Sequence, residues 1–173
     1  MVNVLGVDPG YRNLGLCILE IHPRKGSARK LWSGTVSIGT PNNGLAFVKF
    51  LWPKLEELNQ KYNIQGVATE TPPFIKARPK ISSLLWGVGT IIAVWAYLKG
   101  IPFRHAMPLT LKRACCAIVG RPYEQKNIPR KSEIKTAIAK VLGDTGKTSH
   151  ENDALLAALL LYTDLVPDAT ARA

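Results

Sequence analysis

The opening stretch "VNVLGVDPGYRNLGLCILEI" constrains the fold more than any other part of the chain. Two aliphatic and β-branched runs, "VNVLGVD" and "LGLCILEI", flank a Pro-Gly turn signal. The chain therefore begins as two strands joined by a glycine-rich turn. One carboxylate, Asp8, closes the first strand. Strand interiors disfavour Asp, and a buried charge without a partner is costly, so its position calls for a reason.

The segments that follow alternate between strand and helix patterns. A third strand, "KLWSGTVSI", comes after Lys-Gly-Ser, and Leu45, Val48, Leu51, Leu55, Leu58 and Tyr62 then recur at three-to-four spacing. That spacing predicts an amphipathic helix, with a kink or restart at Pro53. "IQGVATET" is a fourth strand and "IPFRHAM" a short fifth, separated by a long apolar helix. After Pro108 the pattern is helical, is broken by "GRPYEQKNIPR", and resumes at Ser132. "TSHE", Thr148 to Glu151, is a capping box for a last helix that is almost wholly apolar from Ala154 to Tyr162. The expected architecture is α/β, a mixed five-stranded sheet flanked by helices. At 173 residues the chain is expected to form one domain, residues 1–163, with a short C-terminal tail over 164–173.

Charge narrows the partner. Twenty-three Lys and Arg oppose twelve Asp and Glu, a net charge of +11, which favours a polyanion and nucleic acid above a membrane surface. From Lys99 to Lys140 ten basic residues face only Glu124 and Glu133. Apolar residues are interleaved with them, unlike in a disordered basic tail. Ile81 to Leu98 runs eighteen residues without a charge and just reaches the length of a membrane span. Its two glycines, two serines and threonine make it a buried or interface helix, with no membrane partner expected. Three cysteines, odd in number and without a C-x-x-C, fit neither a disulfide framework nor a zinc site. The chain starts directly with a strand, so no leader peptide is expected. The expected compartment is the cytoplasm, beside the nucleoid, or the host cytoplasm if the source is viral.

Three acids interrupt apolar elements near their ends: Asp8, Glu70 in "VATETPPF", and Asp153 in "SHENDALLAALL". His150 lies three residues before Asp153, on the same helical face. Taken singly, each has an ordinary explanation: turn chemistry for Asp8, a strand-end charge for Glu70, the helix dipole for Asp153. His150 alone would be a surface or capping residue. Together, beside a basic chain, they form a candidate oxygen-rich site for Mg²⁺ or Mn²⁺. Two such ions about 3.5–4 Å apart can activate a water and stabilise the leaving oxygen of a phosphodiester.

In order and spacing, "GVDPGYRNLGLCIL", "VATETPPF" and "SHENDALLAALL" resemble the motifs of the RuvC-type Holliday junction resolvases, of the ribonuclease H-like nuclease superfamily. Asp8, Pro9, Gly10 and Gly15 match the opening turn, Glu70 the second acid, and His150, Asp153, Ala154 and Leu155 the last motif. The resemblance spans Val2 to about Tyr162. It implies a homodimeric, Mg²⁺-dependent endonuclease that cuts four-way DNA junctions by paired symmetric nicks, with Mn²⁺ as a substitute. Asp8, Glu70, Asp153 and His150 would be both catalytic and metal-holding, and Ile81 to Leu98 would form the dimer interface. Lys112 and Lys131 match functional lysines of the family. Arg113, Lys76, Arg78 and Lys80 would join them in gripping DNA. Where bacterial members carry a stacking aromatic three residues after the second acid, this chain has Pro73, so Phe74 is the candidate. His150 stands where an Asp is usual, which changes the pH profile more than the reaction. Another nuclease of the superfamily, acting on flaps, branched DNA or hybrids, is the nearest alternative. A non-catalytic junction-binding protein is the next.

Overall fold

A computed structural model describes residues 1–10, 12–37, 39, 44–72, 75–124 and 128–166. Five strands form one sheet: β1 (Val2–Asp8), β2 (Asn13–His22), β3 (Ser27–Ser37), β4 (Gly66–Glu70) and β5 (Phe103–Ala106), in the order β3-β2-β1-β4-β5. The hairpin neighbours β1–β2 and β2–β3 are antiparallel, while β1–β4 and β4–β5 are parallel. A parallel neighbour needs a crossover, and helices α1 (Gly44–Tyr62) and α2 (Pro79–Leu98) supply the two here. Helices α3 (Pro108–Val119), α4 (Lys131–Leu142) and α5 (Ser149–Leu165) follow β5. The mixed five-stranded sheet with helices on its faces is the arrangement expected from the sequence.

Side-chain alternation along β1 divides the core in two. Leu5 and Val7 pack with Leu14, Leu16 and Ile18 under α1 and α2, where Phe47, Leu51, Leu55, Ile92 and Trp95 are wholly buried. Val4, Cys17, Leu19 and Ala68 face the other way, against α3, α4 and the apolar run of α5. Asp8 and Glu70 share the parity of Val4 and Ala68, and so lie on the α5 face.

Some expected boundaries move. β3 starts at Ser27, because the β2 pairing begins at His22 with Ser27 and shifts register between Ile18 and Leu19. The expected end of that strand, Ile38, lies outside the described residues. α1 runs through Pro53 without a restart. The helix sacrifices one backbone hydrogen bond there, and the buried residues on either side hold it to the sheet. α5 continues to Leu165, two residues beyond the expected domain limit. By length and composition α2 could cross a membrane, with a third of its apolar window buried. Val88, Ile92, Trp95 and Ala96 are committed to the core, and Glu56 of α1 accepts a hydrogen bond from Trp95 Nε1 (3.0 Å) and pairs with Lys99 (2.8 Å).

Candidate active site

The site assembles at the C-terminal ends of β1 and β4. Parallel register pairs Val7 with Thr69, so the next residues on the α5 face, Asp8 and Glu70, end their strands side by side. The chain leaves β1 by a tight turn in which the Gly10 amide donates to the Asp8 carbonyl (2.9 Å).

α5 brings the other two candidates. Gly15 pairs with Asp8 across the hairpin, and a Cβ there would fall on the carbonyl oxygen of His150. At Gly6, two residues before Asp8, a Cβ would strike the Ala154 carbonyl. The absence of side chains at these positions lets the first turns of α5 rest directly on the sheet. His150 Nδ1 then reaches Asp8 Oδ2 at 2.7 Å, joining residues 142 positions apart.

The end of α5 is anchored as well as admitted. Thr148 Oγ1 accepts from the Glu151 amide (3.1 Å), the expected half of the capping box. The Glu151 carboxylate does not complete the box by bonding the Thr148 amide. Instead it accepts from Ser33 Oγ on β3 (2.7 Å) and from the Lys147 amide (3.3 Å). Only 5% exposed, it ties the helix start to the sheet edge. Asn152 closes the preceding loop, donating to the Gly146 and Thr148 carbonyls and accepting from the Gly146 amide. Sequence reasoning missed Ser33, Glu151 as a cross-link, and Asn152. The available signal was the run of polar residues, Ser149 to Asp153, that opens an otherwise apolar helix.

Electrostatics show how closely the acids converge. Burial, then the charges of Asp8 and Asp153, push the Glu70 carboxyl up to about 7, against the pull of Lys112. Burial raises Asp153 too, joined by the Asp8 charge and opposed by Lys131 and His150. Asp8 is raised by burial despite its hydrogen bond to His150 and the nearby Lys131. Among the described residues no three His, Cys, Asp or Glu side chains are gathered tightly enough to enclose a cation unaided. The donors still fit a hard divalent ion. Mg²⁺ keeps several waters and takes one or two carboxylates plus substrate phosphate oxygens, not a closed protein cage. Three half-buried, mutually repelling carboxylates also favour a cation among them.

The basic candidates divide into two groups. Lys112 on α3 and Lys131 at the start of α4 stand close enough to act on the carboxylates. α4 is held for this by Glu133, which pairs with Arg121 (2.8 Å) and accepts from the Arg130 amide (2.9 Å). Arg113 is exposed, its guanidinium 5.6 Å from the centre of the Tyr123 ring. Lys76 and Arg78, on the segment leading into α2, and Lys80, in its first turn, are exposed, and none makes an ion pair with Asp8, Glu70 or Asp153 among the described residues. Phe74 lies outside the described residues.

The sheet order, the crossover helices and the position of the acids define the class, an α/β domain of the ribonuclease H-like type. No protein-family profile matches the chain. It is 24% identical over 159 residues to the crossover junction endodeoxyribonuclease RuvC of Thermus thermophilus, covering 90% of each. To the RuvC of Cupriavidus pinatubonensis it is 29% identical over 149 residues, 86% of this chain and 76% of that protein. Its fold overlays T. thermophilus RuvC solved with a Holliday junction substrate at a TM-score of 0.75. The identity in that overlay is 21%, with 94% of this chain and 95% of the other covered. In sequence and in fold the chain resembles the RuvC-type Holliday junction resolvases.

Proposed function

We propose that this protein is a divalent-metal-dependent endodeoxyribonuclease that resolves four-way DNA junctions by paired, symmetric nicks. The observation that carries the proposal is the meeting of Asp8, Glu70 and α5 at one end of the sheet, in a chain that resembles RuvC over nearly its whole length.

Asp8, Glu70 and Asp153 would hold two Mg²⁺ ions, with Mn²⁺ as a substitute, and such ions neutralise phosphate oxygens and acidify a water. The chain's own residues supply the rest. With Nδ1 turned to the Asp8 carboxylate, Nε2 of His150 is the ring atom that can take a proton from the attacking water. Lys112 and Lys131 steady the phosphate oxygens beside the acids. Arg113, Lys76, Arg78 and Lys80 grip backbone phosphates without reading sequence, and Phe74 is the proposed stacking residue. Two copies joined through α2 would present paired sites to a substrate of the same two-fold symmetry. The single nuclease domain, expected over residues 1–163, would extend through the end of α5 at Leu165, with the cytoplasm as its compartment.

The test is cleavage of a labelled synthetic four-way junction with Mg²⁺ or EDTA, beside flap and linear duplex controls. Paired nicks confined to the junction and dependent on the metal are expected. Equal cutting of flap or duplex would overturn the junction assignment. Asp8→Asn should bind the junction like the native protein and leave it uncut; retained cutting would remove Asp8 from the chemistry.

A further inference from the structure

Two recesses flank Asp153 and share it and Ile134 as a common wall. The smaller, about 150 Å³, holds Glu70 and Lys112 between α3 and α5. The larger, about 340 Å³, lies between the starts of α4 and α5 and is lined by Lys131, Ser132, Lys135, Ser149 and Asn152. A water's share of the liquid is about 30 Å³, so the larger recess has room for a phosphate and its sugar.

The polar groups of this cleft are unequally engaged. The Asn152 amide is committed to Gly146 and Thr148, so it is wall and not recogniser. Lys131 acts on Asp8 and Asp153. Lys135, one helical turn further on, forms no ion pair among the described residues. Two lysines at this spacing repel each other, a cost that Asp153 on the cleft wall offsets at Lys131 but that no ion pair relieves at Lys135 among the described residues. An anion in the cleft would offset it.

Resting on the nuclease reading above, we propose that the cleft between α4 and α5 seats the DNA phosphate neighbouring the one being cut, held by Lys135 and the Ser149 hydroxyl. A strand passing Asp153 leaves the Lys112 recess and enters this cleft. The scissile phosphate then lies over the carboxylates and its neighbour against Lys135. That fixes the strand's position along its own axis, which a single phosphate contact cannot do.

The experiment is junction binding in EDTA and cutting in Mg²⁺, by native protein, Lys135→Ala and Lys135→Arg. The junctions are unmodified or carry one neutral methylphosphonate at each position within three nucleotides of the cut. Lys135→Ala should weaken binding and lower the slope of log Kd against log salt by about 0.9, the share of one phosphate. Lys135→Arg should restore both. The Lys135→Ala defect should vanish only on the junction whose methylphosphonate adjoins the scissile phosphate. A defect of the same size at every position, or no defect at all, would overturn the proposal. Failure of the native protein to cut the unmodified junction would instead overturn the nuclease reading, whatever the binding data show.

Discussion

At the scale of single residues, the site is built from groups held against their ordinary preferences. Glu70 is the clearest case, its carboxyl pushed up to about 7 by burial and by Asp8 and Asp153. A carboxyl raised in the folded state binds its proton more tightly there than in the unfolded chain. Its contribution to stability is complete below about pH 4.5 and is lost as the pH rises through about 7. In EDTA, Glu70→Gln should therefore melt above the native protein at pH 8, and the gap should close by pH 5. Each kcal/mol relieved raises Tm by about 2–4 °C in a chain of this size. Thermal scans at the two pH values check this, and an unchanged gap would show that Glu70 is not strained. Adding Mg²⁺ at pH 8 should stabilise the native protein more than the variant, since the ion replaces the missing proton.

At the scale of elements, the junction of α5 with the β1–β2 hairpin decides whether the site exists. Gly15→Ala places a methyl on the His150 carbonyl, so the start of α5 must lift from the sheet. Overpacking of this kind costs about 1–3 kcal/mol. The variant should fold with a reduced Tm, bind DNA, and cut at least tenfold more slowly because His150 moves away from Asp8. Native cutting rates from Gly15→Ala would remove the close approach from the catalytic design. Thr148→Ala should cost about 1 kcal/mol through loss of the cap, measurable by denaturant titration.

This junction also marks how far sequence carries. The strand pair, the crossover helices and the final helix were legible because aliphatic runs and three-to-four spacing report directly on burial. Asp8, Glu70 and Asp153 stood out because each breaks an apolar element. Gly6 was not legible as a contact, since its partner, Ala154, belongs to the other end of the chain. For the same reason Glu151 read as a local cap, although its carboxylate reaches Ser33 on β3. At Pro53 the expected kink or restart was read from a local penalty; the helix continues without a restart, held by tertiary packing that the local sequence does not display.

At the scale of the whole molecule, α2 leaves one face unburied. Ser83, Trp86, Thr90, Val94 and Tyr97 follow one another at three-to-four spacing on its outer side, and Tyr97 is 83% exposed. A second copy of the chain would cover this stripe and set two sites across a two-fold axis. Sedimentation should give a dimer for the native protein and a monomer for Thr90→Glu. On a junction the monomer should nick one strand at a time, without pairing. A native monomer at micromolar concentration would overturn the proposed assembly. The net charge of +11 acts at the same scale, predicting that junction affinity falls steeply as salt is raised.

The bond between His150 and Asp8 joins the last helix to the first strand. During synthesis Asp8 leaves the ribosome long before α5 exists to meet it. The growing chain therefore carries the lysines proposed to contact DNA before it carries all four candidate catalytic residues. A product truncated before Ser149 would lack His150 and Asp153, together with the helix that caps the sheet. On the proposed function, unfinished copies would lack groups needed to nick DNA.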